Sequence, residues 1–356
     1  MAKPTIGVHS GLVRTVLGPI PVEAMGVTLL HEHILLDASS WWKRPCCGSE
    51  IAIAERALDI SMIGDLRMNP FLNRDNCALL DVGAAIEELD HFVEYGGKTV
   101  VDPTNLGIGR DPSALQRISR RSGLNIVMGA GFYLEPSHPP YVRDMTVETI
   151  AEAIAEDCGL SEDEPEVCAG IIGEIGISKD FTPAEEKVLR GAARASKLSG
   201  APLSVHLPGW ERHAHRVLDV VASEGADLRH VVLCHMNPSL HDPSYQKSVA
   251  DRGAFIEYDM IGMDFFYADQ QAQSPCDEEN AIAICRLADD GYLSSILMSQ
   301  DVFLKMMLVR YGGFGYGYIL KHFVPRLKRH GMDQRTIDRI LIENPRRVFS
   351  AEHRAR

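Results

Sequence analysis

Short apolar runs alternate with longer amphipathic stretches along almost the whole chain. The longer stretches have the spacing of amphipathic helices, and the short runs have the length of buried strands. The helix-like stretches include residues 82–95, 183–198, 211–223 and 278–289. The eight strand-like runs are residues 27–30, 99–102, 125–128, 170–174, 203–206, 231–235, 254–258 and 295–299.

This alternation predicts a parallel sheet whose strands are joined by right-handed helical crossovers. Eight strands at this chain length favour a closed TIM (β/α)₈ barrel, with residues 1–356 as one domain. No GxGxxG motif follows the first run, which disfavours an open dinucleotide-binding sheet. Residues 37–78 fit neither a strand nor a regular helix well. Trp41, Trp42 and Pro45 suggest that they form an inserted loop over the barrel mouth, where it could act as a lid.

Composition narrows the class of protein further. The 356 residues are 45% hydrophobic, which is enough for a large core, and the net charge of −13 disfavours binding to nucleic acid or to an anionic membrane. No apolar run approaches the roughly 20 residues of a membrane span. The eight cysteines form no CxxC pair. We therefore expect a cytoplasmic protein with reduced thiols, and a homodimer is the default oligomer.

Candidate metal ligands follow five of the eight predicted strands. The first run is followed by His31 and His33, and residues i and i+2 of a strand point to the same face. In a barrel, the carboxyl ends of all strands meet at one rim, where the active sites of this fold lie. A second HxH pair, His213 and His215, falls in a predicted helix and is expected at the surface. The other four candidates are Glu174, His206, His235 and Asp301.

Four imidazoles and two carboxylates are too many for one tetrahedral ion with an open position. They suit two divalent ions bridged by a carboxylate and by a water or hydroxide. Ligands rich in imidazole favour zinc, with manganese, cobalt or iron as alternatives.

Several motifs of this chain together resemble those of the phosphotriesterase family of the amidohydrolase superfamily. The resemblance spans nearly the whole chain and includes the separation between His206 and His235. The matching motifs are residues 15–20, 28–33, 173–176, 299–301 and 344–347.

The resemblance implies a role for each candidate ligand. It implies that Glu174 bridges both ions, that His31, His33 and Asp301 hold the more buried one, and that His206 and His235 hold the more exposed one. Phosphotriesterases proper have a carboxylated lysine at the position of Glu174. Glutamate there is similar to the phosphotriesterase-related and phosphotriesterase-homology branches, and it puts organophosphate activity in doubt.

The expected chemistry is metal-assisted hydrolysis of a small molecule. A hydroxide that bridges the two ions attacks the carbonyl of a lactone or carboxylic ester, and Asp301 accepts the proton. An amide ranks lower, because no clear acid besides Asp301 is visible to protonate the leaving nitrogen. The alternatives are a phosphotriester hydrolase and a metal-containing ligand-binding protein without turnover.

Residues that contact the substrate are harder to predict than metal ligands. Tyr133 follows the third strand, where its hydroxyl could bind a substrate oxygen or the residue could be an ordinary buried tyrosine at the rim. Tyr258 and Asp259 end the seventh strand. Asp259 could relay a proton or bind the ring of the more exposed metal-ligating histidine, or it could form an ordinary salt bridge or cap. Arg310 lies in a glycine-rich loop after Asp301 that could shape a pocket.

Overall fold

The computed structural model describes residues 11–46, 48–160 and 166–350. Eight parallel strands follow one another in chain order around a barrel. Nearly every strand residue is buried, as expected for a parallel sheet that is covered on both faces. The strands are β1 (Thr28–Leu29), β2 (Thr99–Asp102), β3 (Asn125–Ala130), β4 (Ile171–Gly176), β5 (Leu203–His206), β6 (Val231–Leu233), β7 (Phe255–Tyr258) and β8 (Ile296–Met298).

The barrel closes between β8 and β1 through hydrogen bonds just beyond the two strands. The backbone N–H of Asp301 donates to the carbonyl of His31 at 3.1 Å, and the backbone N–H of His31 donates to Ser299 Oγ at 2.8 Å. The predicted TIM barrel is thereby confirmed. Each predicted strand is present, with ends shifted by two residues at most.

Helices surround the barrel and begin at residues with typical capping chemistry. Thr182 and Glu185 form a capping box at the start of the helix Pro183–Ser199, with Pro183 in its first turn, and Asp81 caps the helix Val82–Glu94. The helices are α1 (Gly48–Ala54), α2 (Ile63–Met68), α3 (Val82–Glu94), α4 (Pro112–Ser122), α5 (Val147–Asp157), α6 (Pro183–Ser199), α7 (Ala214–Ser223), α8 (Pro243–Asp251), α9 (Asp277–Leu287), α10 (Val324–Arg329), α11 (Gln334–Asp338) and α12 (Asn344–Val348). Among the described residues, no helix combines the length and the apolar character that a membrane span requires.

Three short antiparallel pairs are added to the barrel. Leu12–Thr15 pairs with Gly18–Pro21 ahead of β1. Leu36–Asp37 pairs with Ala78–Leu79, which ties together the two ends of the insertion. The insertion contains α1 and α2, so the expectation that it lacks regular helix is wrong. Phe266–Tyr267 pairs with Ala272–Gln273 in the loop after β7.

Candidate metal centre

The structure brings the six predicted ligands together at the carboxyl ends of the strands. His31 and His33 follow β1, Glu174 lies within β4 and His206 ends β5. His235 and Asp301 follow β6 and β8 by two and three residues. All six are buried, with at most 9% of any residue exposed.

Glu174 lies at the centre of this group. Its Oε2 atom is 3.1 Å from His31 Nε2, and its Oε1 atom is 2.7 Å from His206 Nδ1 and 3.5 Å from His235 Nε2. One carboxylate therefore faces histidines from three strands. Asp301 Oδ1 lies 3.6 Å from His31 Nε2 and 3.4 Å from His33 Nε2 on the neighbouring side.

Several of these atoms are buried without a hydrogen-bond partner. They include His31 Nε2, Glu174 Oε2 and Asp301 Oδ1. Leaving a buried polar atom unpaired costs about 1–3 kcal/mol, so such a cluster suits atoms that bind a ligand. Two triplets each place one ligand atom per residue within 4.8 Å of one another: His31 with His33 and Asp301, and His31 with Glu174 and His235. The donor set and its spacing fit divalent cations.

Two of the six residues have a left-handed backbone, which is unusual for residues other than glycine. The φ angle is 57° at His235 and 47° at Asp301. The backbone N–H of His235 donates to both carboxylate oxygens of Asp259, at 3.0 and 2.9 Å, and thereby holds this conformation. Strain of this kind concentrates at functional sites and here turns both side chains toward the centre.

Burial and neighbouring charges shift the pKa values of the group in different directions. Burial lowers the pKa of His33 to about 3, so its imidazole is neutral, the form that binds a metal. Burial also raises the pKa of Asp301 well above its usual value. Burial also favours a higher pKa at Glu174. The neighbouring His206 and His31 have a larger opposite effect, so the pKa of Glu174 is held well below its usual value.

A second layer of acids lies beneath the histidines. Asp259 Oδ1 is 3.0 Å from His235 Nδ1, and its Oδ2 is 3.4 Å from His31 Nδ1. Glu257 Oε2 is 3.7 Å from His31 Nδ1 and 3.5 Å from Cys234 Sγ. Carboxylates in such positions orient the rings of metal-binding histidines. Glu257 was not predicted from the sequence. Side chains alternate between the two faces of a strand, so Glu257 lies on the same face of β7 as Asp259.

The four predicted substrate residues lie in different environments. Tyr133 lines the cavity above the cluster, and its hydroxyl is 3.3 Å from His206 Nδ1. Asp259 lies beneath the histidines rather than in the cavity wall. For Tyr258 and Arg310 the structure corrects the prediction. Tyr258 points outward from the barrel and donates to Gln246 Oε1 at 2.7 Å, and Arg310 lines a separate cavity beside α3.

The cavity above the cluster has a volume of about 1060 Å³. The loops after β3, β4, β5, β7 and β8 form its walls together with the insertion, which contributes Trp41, Phe71 and Leu72. Trp42 does not line it. His33, Glu174, His206, His235 and Asp301 are all at its floor, so a small molecule in the cavity reaches the cluster directly.

Comparison with known proteins gives consistent results over nearly the whole chain. The model of the phosphotriesterase family matches residues 11–349. An N-acetyltaurine hydrolase from Salmo salar is 34% identical over 342 residues, which cover 95% of this chain and 97% of that protein.

Two solved structures extend this comparison. A resiniferatoxin-binding protein from Rhodobacter sphaeroides is 53% identical, with a TM-score of 0.95 over 98% of this chain and 99% of its own. The lactonase Lmo2620 from Listeria monocytogenes is 26% identical, with a TM-score of 0.76 over 96% of this chain and 100% of its own. The fold, the buried cluster and these matches lead to one conclusion: the chain belongs to the phosphotriesterase family of hydrolases.

Proposed function

We propose that the protein is a binuclear metal-dependent hydrolase that cleaves a carboxylic ester, lactone or amide. The observation that carries the proposal is the buried group of four histidines and two carboxylates, with unpartnered ligand atoms at the floor of an open cavity. In this proposal Glu174 would be a ligand shared by two divalent ions. His31, His33 and Asp301 would hold one ion, and His206 and His235 would hold the other. The ions supply a hydroxide at neutral pH and polarise the scissile carbonyl when bound.

The chain's own residues supply proton transfer and hydrogen bonding. Asp301 lies beside His33 and lines the cavity, where one carboxylate oxygen can accept the proton of the attacking water. The protonated carboxyl can then donate to the leaving atom. Burial, with the charges of Glu174 and Asp301, raises the pKa of Tyr133 well above its usual value. Tyr133 therefore keeps its proton at neutral pH and donates a hydrogen bond to the substrate.

For an amide substrate, the leaving nitrogen would take its proton from Asp301, which accepts it from the attacking water. Tyr133, whose hydroxyl lies beside His206, supports this step only through a hydrogen bond. The relative named N-acetyltaurine hydrolase supports an amide, and the neighbour named lactonase supports a lactone. We propose a carbonyl rather than a phosphoryl substrate, with phosphotriester hydrolysis as a side activity at most.

A substrate panel tests this proposal. Metal-loaded protein is assayed against a lactone, a carboxylic ester, N-acetyltaurine and an aryl phosphotriester, with and without a chelator. We expect turnover of at least one carbonyl substrate, its loss on chelation, and a phosphotriester rate lower by about 100-fold or more, because binding energy is directed at the matching transition state. Turnover of the phosphotriester alone would contradict it.

A second candidate function is ligand binding without turnover. The 53% identical neighbour is named for binding resiniferatoxin, which favours this candidate. It predicts tight binding of a small molecule in the cavity, with no hydrolysis of any ester, amide or phosphate in metal-replete protein. The presence of Asp301 at the centre favours the hydrolase.

We also propose a native metal, a cellular location and an oligomeric state. Four imidazoles favour zinc as the native metal, with manganese, cobalt or iron as alternatives. The seven described cysteines are free thiols, which supports a location in the cytoplasm. We propose a homodimer, the commonest symmetric assembly.

A further inference from the structure

Five aromatic side chains form one continuous wall of the cavity. We call Trp41, Phe71, Trp210, Tyr267 and Phe303 the aromatic wall; all five line the cavity. Phe71 lies at its centre. Its ring stacks on Trp41, with centroids 5.3 Å apart and planes at 10°, and it also lies 6.1 Å from the rings of both Tyr267 and Phe303. Trp210 extends the wall at 5.2 Å from Tyr267.

The aromatic wall begins next to the candidate metal centre. The ring of Trp41 is 6.5 Å from that of Tyr133, and the ring of Tyr133 is 4.9 Å from that of His206. Ring contacts therefore continue from a candidate ligand along the lining of the cavity. The insertion and the loops after β5, β7 and β8 each contribute a member. Since four separate segments converge, packing within a single loop does not explain the wall.

The charged residues at the cavity mouth give an anionic substrate little support. The three cations that line the cavity all have acidic neighbours. Arg44 Nε is 3.3 Å from Glu55. Lys43 and Lys179 lie near Asp269: burial raises the pKa of that carboxyl, and the two ammonium groups only partly oppose the rise. Acids outnumber cations along the lining away from the metal centre: Glu50, Glu135, Asp180, Glu185, Glu211 and Asp269.

We propose that the substrate is an uncharged ester or amide that carries an aromatic ring, and that this ring packs against the aromatic wall. Flat apolar groups gain most from burial against ring faces, and the acidic lining repels anions. The inference rests on the proposed hydrolase function and names its substrate class. It also separates this chain from relatives named for N-acetyltaurine, whose sulfonate is an anion.

The first test measures binding without chemistry. The chain has three tryptophans, and two of them, Trp41 and Trp210, belong to the wall. In a Trp42→Phe variant all tryptophan emission therefore comes from the cavity. Acetophenone, which is aromatic and uncharged and contains no ester or amide, is titrated into metal-loaded protein alongside 2-methoxyethanesulfonate, a small anion. We expect acetophenone to quench the emission saturably at concentrations at least tenfold lower than the sulfonate.

The second test uses hydrolysis by wall variants. Phe71→Leu and Trp210→Leu are each assayed with benzyl acetate and with ethyl acetate. We expect kcat/KM for benzyl acetate to fall at least tenfold, mainly through KM, with less than a threefold change for ethyl acetate. The matched control is Phe314→Leu, a change at an exposed aromatic outside the cavity, which should leave both substrates unaffected.

The two tests separate failure of the inference from failure of the proposed function. Saturable binding of acetophenone with no hydrolysis of any acyl substrate supports the aromatic site and overturns the hydrolase. Hydrolysis with equal kcat/KM for N-acetyltaurine and N-benzylacetamide, and no quenching by acetophenone, overturns the inference and leaves the hydrolase standing. Equal losses for both acetates in the wall variants indicate a structural role only and also overturn it.

Discussion

The two ends of the barrel interior differ in what they bury. Toward the amino ends of the strands the interior is an apolar cluster that includes Met25, Ile171, Phe255, Leu297 and Phe349, each at most 2% exposed. Toward the carboxyl ends it holds histidines and carboxylates, some without hydrogen-bond partners and two with left-handed backbone. The chain thus separates the part of the barrel that stabilises the fold from the part that is built for chemistry.

This difference predicts that changes at the two ends affect different measurements. Removal of an apolar side chain from the amino end leaves a void in a packed core and lowers the free energy of unfolding. At the carboxyl end, removal of the Asp301 charge takes away the proposed proton acceptor, while it relieves the desolvation penalty that raises the pKa of this carboxyl.

Asp301→Asn is expected to have the largest effect. Asparagine keeps an oxygen ligand but cannot accept the proton, so kcat should fall by about 10²–10⁴-fold. The free energy of unfolding should stay the same or rise, since a buried charge is lost. Steady-state kinetics, metal analysis and thermal melts measure the three properties. Near-normal turnover with metal retained would refute the role of Asp301.

Phe255→Ala is the counterpart at the amino end. Phe255 is 1% exposed and packs within the apolar cluster, so its truncation should lower the free energy of unfolding by about 3–5 kcal/mol. Denaturant titration measures that loss. For the fraction that stays folded, kcat and metal content should match those of the wild type. A large loss of kcat at full folding would show that the two ends are not separate.

Two buried tyrosines should show the same separation of activity from stability, with smaller effects. Tyr133→Phe removes a donor beside His206 and should lower kcat/KM about 3–10-fold with little change in stability, because one hydrogen bond is worth about 0.5–1.5 kcal/mol. Tyr258→Phe leaves Gln246 Oε1 without its hydroxyl donor and should cost about 1–3 kcal/mol of stability with kcat/KM unchanged. A loss of kcat/KM in Tyr258→Phe with unchanged stability would indicate instead that Tyr258 contacts the substrate.

The sequence predicts the barrel and the clustering of the six candidate residues well. Buried parallel strands read as short apolar runs, and the fold itself brings their carboxyl ends together, so His31 and Asp301 meet although 270 positions separate them. The second HxH pair stays out of the cluster, but both residues are half-buried rather than at the surface, where they were expected. His213 Nε2 is 2.9 Å from the carbonyl of Lys179, and His215 Nε2 is 2.8 Å from Ser248 Oγ.

The sequence predicts the cavity walls poorly. Trp210 and Tyr267 lie in loops without periodicity, and their contact depends on how two loops fold over the barrel. The prediction for Tyr258 failed for a different reason. Its neighbours Glu257 and Asp259 face the interior, so the alternation along β7 turns Tyr258 toward α8, and a strand end does not by itself place a side chain in the site.

A count of bound metal ions tests whether the six buried residues form a binuclear site. Chelator-treated protein is titrated with zinc and the bound metal is measured after gel filtration, with Glu174→Ala as the test variant and His213→Ala as the matched histidine control. The account predicts about two ions per chain in the wild type and in His213→Ala, and fewer than about one in Glu174→Ala, because a bridging carboxylate serves both ions. One ion or none in the wild type, or an unchanged count in Glu174→Ala, would contradict it.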